Sequence, residues 1–257
     1  MSFSDSATRD PPDTTLCGTW TNGGEAFYKE APRRRQVIEE RLRTLTARVL
    51  LTDRRLDCRR SENDPKLREA LGLTWPVMRA EQVHGGAVRV LDGDPGSAVP
   101  GVDGLATRSR LVLLALGADC PGIAIVGRRS VAVAHSGWRG TVADIGVNAV
   151  SALVSLGEER AELRAFVGPG IGACCFEVGD EVVEAFERAH GPLGRLLSHK
   201  KKAHIDLKGA IERRLREVAG VGSVTVAPEC TRCSPTLFSR RRDGPGCGNH
   251  AVVAHLL

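Results

Sequence analysis

Between Leu111 and His135 the chain is almost unbroken hydrocarbon: Leu111 to Leu116, Ile123 to Val126 and Ser130 to His135 are short apolar runs broken by Asp119-Cys120-Pro121. Runs this short and this evenly apolar predict strands covered on both faces, which requires layers above and below them. The helical periodicity that follows supplies one cover, since Val142, Ile145, Ala149, Ala152 and Leu153 form an apolar stripe along a helix expected over 141–156. The fold class expected is therefore α/β in the mixed α+β sense, with mixed β-sheets covered by helices.

Further strands are expected over 87–91, 163–167 and 223–227, and a strand over 252–255 is expected to close the sheet. Helices are expected over 179–190 and over 206–218, the latter with Asp206 as its cap. Asn63-Asp64-Pro65 opens a short helix ended by Gly72, with Asp64 placed to cap it. Residues 1–30 read as an irregular or disordered extension, and Arg33 to Leu51 has roughly helical spacing, with a helix expected over 32–46. Residues 31–257 then form a single catalytic domain, a size at which one core suffices.

The apolar window over 111–126 is too short and too interrupted to span a bilayer, and Met1 to Asp13 holds charges and prolines in place of a signal sequence. A net charge of +5 on 257 residues is no footprint for nucleic acid. The expectation is a cytoplasmic protein, without membrane or nucleic-acid partners, that is a monomer or a weak homo-oligomer. Eight cysteines in a chain with its own core fit thiols and a metal site better than a disulfide framework.

The chemistry concentrates in Gln82-Val83-His84-Gly85, Ala118-Asp119-Cys120-Pro121 and Ala134-His135-Ser136-Gly137-Trp138-Arg139-Gly140. Each places one borderline-soft ligand at a strand boundary beside Gly or Pro, where functional side chains collect. Two His and one Cys suit a catalytic zinc, which takes three protein ligands and keeps a fourth position open. His84, Cys120 and His135 are too dispersed for a zinc finger, so such a site is assembled by the fold. The alternative is a pair of hydrogen-bonded core histidines and a small buried cysteine. Asp119 is positioned to orient a ligand or to act on a bound water.

The segments QVHG, DGLAT (103–107), ADCPG, AHSGWRG, GPGIGACCFEVG (168–179) and CTRCSPTLFSRRRDG (230–244) occur in that order. Together they resemble the signature of the YfiH family, also called laccase-domain or multicopper polyphenol oxidase proteins, which includes the peptidoglycan editing factor group. The resemblance covers about 79–244. It implies a mixed α/β fold, zinc held by His84, Cys120 and His135, and activity on purine nucleosides: phosphorolysis of adenosine, inosine, guanosine and methylthioadenosine, and deamination of adenosine. The implied partners are thus a nucleoside and phosphate, with copper as the alternative metal.

Within that frame Cys120, Asp119, Glu177 and Arg139 are the candidate catalytic residues. Glu177 is a general acid or base if it lies in a dry cleft that raises its pKa. Arg139, with Arg240 or Arg241, offers guanidinium forks to phosphate, unless Arg139 only anchors Asp144 or caps a strand. Arg240, Arg241 and Cys175 are the candidate substrate-binding residues. Gly168-Pro169-Gly170-Ile171-Gly172 imitates a phosphate loop, but Ala173 to Val178 reads as extended and not as the helix a dinucleotide fingerprint opens. An extended Cys174-Cys175 pair would point its thiols to opposite faces, which argues against a four-thiolate site with Cys230 and Cys233.

Two departures from the family pattern concern the substrate pocket: only Ser61-Glu62-Asn63-Asp64 remains of an N-terminal motif, and Asn249 stands where the family has Arg. Competing functions are a cell-wall precursor hydrolase with Cys120 as nucleophile, a phenol oxidase, and a family member without activity. Seven scattered His cannot build a multicopper cluster.

Overall fold

The computed structural model describes residues 19–20, 47–96, 98–199 and 202–257. In chain order it contains β1 (Thr19–Trp20), β2 (Ala47–Leu51), α1 (Asp64–Leu71), β3 (Val77–Arg79), β4 (Val88–Leu91), β5 (Gly104–Thr107), β6 (Val112–Gly117), β7 (Gly122–Val126) and β8 (Val131–His135). There follow α2 (Trp138–Val142), α3 (Ile145–Ser155), β9 (Arg164–Val167), β10 (Glu177–Val178), α4 (Asp180–His190), β11 (Leu197–His199) and β12 (Ala203–Ile205). The chain ends with α5 (Leu207–Arg213), β13 (Ser223–Val226), α6 (Arg240–Asp243) and β14 (His250–Leu256).

The strands form a five-stranded sheet in the order β1-β2-β14-β6-β3, a six-stranded sheet in the order β13-β9-β7-β8-β5-β4, and a small sheet β10-β12-β11. Both large sheets are mixed. In the first, β14 runs antiparallel to β2 and β6 while β3 is parallel to β6. In the second, β4 is parallel to β5 and β13 to β9, and the remaining pairs are antiparallel.

The alternation along each strand decides the layering. Leu113 and Ala115 of β6, Ala124 and Val126 of β7, Val131 and Val133 of β8, and Val252 and Ala254 of β14 fill one buried layer between the two large sheets. Ile123, Ile125, Ala132 and Ala134 point the other way and meet Ile145, Ala149 and Leu153 of α3. On the outer face of the five-stranded sheet, Leu114, Leu116 and Val253 pack on Leu67 and Leu71 of α1. The strands are thus covered on both faces, and each fully buried Leu or Ile contributes about 1.5–3 kcal/mol.

Several expectations change in detail. Of the extension expected over 1–30, only Thr19–Trp20 is described, and it pairs with β2; the helix expected over 32–46 lies outside the described residues. Ala47–Leu51 is a strand, because Val49 and Leu51 alternate into the core. The helix expected over 141–156 is two helices, broken where Asp144 takes φ +57°. Asp206 caps α5 by accepting from Gly209 N at 3.0 Å, but that helix ends at Arg213 and continues as a π turn over Arg214–Val218. Asp64 does not cap α1; its carboxylate takes a bidentate bond from Arg79. The final strand lies centrally between β2 and β6, not at a closing edge. Among the described residues no helix is long and apolar enough to cross a membrane.

The turn joining β7 to β8 depends on one buried carboxylate. Glu158 accepts from Arg128 N, Arg129 N and Ser130 Oγ, each at 2.8 Å. Burial pushes its pKa up, yet these bonds outweigh it and hold the group below the ordinary 4.5. Glu158→Ala leaves those donors unpaired and should cost about 3 kcal/mol in urea unfolding at neutral pH. Since the folded carboxyl has the lower pKa, its stabilisation is complete above the unfolded value and fades as pH falls through the folded one. The gap between wild type and variant should therefore narrow only in acid below about pH 4.5.

Candidate metal centre

The layering brings three distant ligands to one end of the molecule. β6 lies in one large sheet and β7 in the other, so the link 118–121 must cross between sheets, and Cys120 sits in that crossing. His135 ends β8 in register with Gly122, the first residue of β7. His84 lies in the loop between β3 and β4, at the same end of the sheet. One ligand atom from each of His84, Cys120 and His135 lies within 4.8 Å of the others, and the imidazoles meet edge to face.

The surroundings explain the convergence. Asp103, 1% exposed and just ahead of β5, accepts from His84 N at 2.9 Å and Gly85 N at 2.7 Å. The same carboxylate takes the His135 Nδ1 hydrogen bond at 3.0 Å, which leaves Nε2 of that ring for a ligand. Gln82 grips the end of β6 through both ends of its amide, donating to Leu116 O and accepting from Leu116 N. Gln82, His84 and Asp119 all have positive φ, at 62°, 64° and 112°. Such backbone costs about 1–3 kcal/mol per residue and collects at functional sites. Gly137 leaves the space: a Cβ there would lie 2.9 Å from Cys120 Sγ and 3.1 Å from the His84 ring.

The electrostatics match. Burial pushes the Cys120 thiol up, but hydrogen bonds from His135 and His84 outweigh it and bring it down to about 7. Burial lowers His135, while Asp103 and Cys120 raise it to about 9. Burial likewise raises Asp103, yet the bonds from His135, Gly85 and His84 hold it below its usual range. The group is graded in exposure, with His135 buried and His84 exposed, so one side opens to solvent. Two imidazoles and a thiol this close fit a metal ion: tetrahedral N and S ligands of zinc stand about 3.3–3.8 Å apart, within a small closure of the present spacing.

The other candidates fall into two sets. Asp119 accepts from Thr231 Oγ1 at 2.6 Å and Arg241 N at 2.7 Å, so its carboxylate ties the loop after β13 and the start of α6 to the cysteine-bearing crossing. Arg241 also reaches Glu177 O, while Arg240 donates through its backbone to Ala118 O. Arg139 is exposed and lies over the Trp138 ring at 4.2 Å. It does not hold Asp144, whose carboxylate is bonded bidentately by Arg214. Glu177 departs from the dry-cleft expectation: it is partly exposed, ion-paired to Lys202 at 2.8 Å, and that bond lowers its pKa. Gly170 lets its segment pass against the site, since a Cβ would strike Pro121 at 2.4 Å. Ala173–Cys175 is a turn and not extended, and Cys175 lies buried within it.

Sequence reasoning missed Asp103, Gln82 and Gly137 as parts of the site. The signal for Asp103 was its place just ahead of a strand in DGLAT, where a carboxylate reaches loop amides.

Fold and cluster together define an α+β protein with a candidate metal centre where two mixed sheets meet. A family model described as multi-copper polyphenol oxidoreductase laccase matches residues 35–256, and the chain belongs to that family. It is 38% identical over 189 residues to Adenosine deaminase RL5 from an unknown prokaryotic organism, covering 67% of this chain and 72% of that protein. It is likewise 38% identical over 200 residues to a purine nucleoside phosphorylase of Deinococcus radiodurans, covering 76% of this chain and 77% of the relative. YlmD from Geobacillus stearothermophilus has a similar solved structure, with TM-score 0.74 and 26% identity over 84% of this chain and 94% of that one.

Proposed function

We propose that this chain is a zinc-dependent purine nucleoside enzyme that phosphorolyses adenosine, inosine, guanosine and methylthioadenosine and deaminates adenosine. The observation that carries the reading is the meeting of His84, Cys120 and His135 within 4.8 Å in a chain whose relatives are named adenosine deaminase and purine nucleoside phosphorylase. Zinc held by three protein ligands lowers the pKa of a bound water toward neutrality and polarises substrate oxygen.

The chain's own residues do the rest. Asp103 fixes the His135 tautomer and ring plane and raises its basicity as a ligand. Cys120 enters as thiolate, because the flanking imidazoles favour its charged form. Asp119 holds the segments carrying Thr231 and Arg241 against this centre and sets the wall of the pocket. The exposed Arg139 guanidinium is the partner for phosphate, a planar fork suited to its oxygens. Exposed Val83, beside His84, gives a purine an apolar edge.

The test is incubation with adenosine, inosine and methylthioadenosine, with and without phosphate, followed by chromatography. Base released only with phosphate, together with inosine formed from adenosine without it, is the expected result. Absence of both products would refute the reading.

A second reading rests on the same atoms. Cys120, His135 and Asp103 also form a thiol–imidazole–carboxylate line, and a thiol near pKa 7 is a competent nucleophile for a hydrolase acting on cell-wall precursors. Zinc separates the two: if bound metal shields Cys120 from alkylation while turnover persists, the nucleophile reading fails.

A further inference from the structure

The geometry points to a second metal site, a four-thiolate centre for zinc made by Cys174, Cys175, Cys230 and Cys233. Their sulfur atoms all lie within 4.8 Å of one another. Cys175 and Cys233 Sγ are 3.5 Å apart, and Cys174 and Cys233 Sγ 3.9 Å. Four sulfurs at zinc–sulfur distance occupy a tetrahedron with edges of about 3.8 Å.

Two tight turns face each other to make this possible. In the first, Cys175 N and Phe176 N both donate to Gly172 O, so the chain curls at Cys174-Cys175 and turns both thiols to one side. That removes the objection an extended pair would raise. In the second, Cys233 N and Ser234 N both donate to Cys230 O, which folds Cys230-Thr231-Arg232-Cys233 around its own sulfurs. Spacing of this C-x-x-C kind is common in structural zinc sites.

The turns are joined before any metal arrives. Gly172 N donates to Cys230 Sγ at 3.2 Å, and Thr231 N to Gly170 O at 3.0 Å. Gly172 leaves little space for a side chain, since a Cβ would stand 3.1 Å from Cys230 Cβ and 3.3 Å from Cys174 Sγ. The charge is provided for as well. Four thiols give up their protons to solvent as a divalent ion binds, leaving the centre with two excess negative charges. Arg232 Nη1 lies 3.6 Å from Cys175 Sγ, and the buried Lys208 ammonium is held on Ala227 O and Glu229 O in the segment leading to Cys230.

Its role is to clamp the wall of the first centre. The segment before Cys174 reaches Asp119 through Ile171 N to Asp119 O at 2.7 Å, and the segment at Cys230 reaches it through Thr231 Oγ1. Zinc between the two turns fixes both contacts beside Cys120. This centre is independent of the nucleoside reading and is tested without it.

The experiment is metal analysis of protein purified without chelators, with cobalt(II) as a spectroscopic replacement. The intact chain should carry about two zinc ions. His135→Ala should retain about one, and its cobalt form should show the intense thiolate charge-transfer and visible bands of a tetrahedral sulfur site. The Cys174→Ser, Cys233→Ser double variant, changed at exposed positions, should lose that ion and those bands and melt several degrees lower. One ion per chain, lost from His135→Ala, overturns the proposal, as does a Cys174–Cys233 disulfide found by thiol counting of the denatured chain. One ion retained in His135→Ala but lost from the cysteine variant upholds it, while counting against the three-ligand centre. The His135→Ala spectrum leaves all four thiols in place, so the test stands even if the double variant misfolds.

Discussion

Replacing His135 by alanine should empty the three-ligand centre and reduce nucleoside turnover by more than roughly 100-fold, the upper figure for losing only an outer partner of a metal ligand. The effect is large because His135 is the buried member of the trio, fixed from behind by Asp103 and placed by its register with Gly122 on β7. Among the described residues the cluster holds only His84, Cys120 and His135, so no further imidazole stands beside it to replace the lost ligand. Zinc per chain and turnover should fall together, with the circular dichroism unchanged. Turnover that survives loss of the metal from this centre would refute the assignment.

The second large effect is expected at Asp103, which touches no proposed substrate. Asp103→Ala removes the acceptor of three donors, His84 N, Gly85 N and His135 Nδ1. Zinc affinity should fall about 100-fold. Stability should fall by about 3 kcal/mol, because the buried donors lose their partner. Asp103→Asn keeps the shape and one acceptor oxygen but loses the charge that raises the basicity of His135, so zinc affinity should fall about 10-fold. Competition with a chelating dye gives the affinities and urea unfolding the stabilities. Asp103→Ala with unchanged zinc affinity would show that the carboxylate serves the fold alone.

The apolar runs over 111–135 were legible because burial on both faces leaves a strand few polar positions, and the structure covers them with α1 on one side and α3 on the other. The trio was singled out by the family resemblance, and the structure brings its three ligand atoms within 4.8 Å of one another. Short strands such as Val77–Arg79 and Gly104–Thr107 were not, because they owe their existence to neighbours and not to periodicity. The break between α2 and α3 was hidden as well. An apolar stripe runs through Asp144, and only its tertiary bonds to Arg214 reveal why the chain leaves the helix there. The four cysteines were kept apart by one local assumption, an extended segment at 173–175, where the structure has a turn. Residues 173–175 carry no strong turn signal, and the turn is set by the Gly172 carbonyl and the loop at Cys230.

Asp119 illustrates a candidate that the structure ties to its surroundings through partners the sequence could not show. Its contacts, Thr231 and Arg241, lie more than a hundred residues away in the chain. Glu177 is the converse case, since the small sheet places it beside Lys202 and in reach of solvent.

Anomalous diffraction at the zinc edge from crystals of the intact chain is the most direct measurement. A peak between the imidazoles of His84 and His135 and the sulfur of Cys120 is the result predicted here. Full-length protein grown with zinc that gives no peak there, with those side chains ordered, would contradict the central claim.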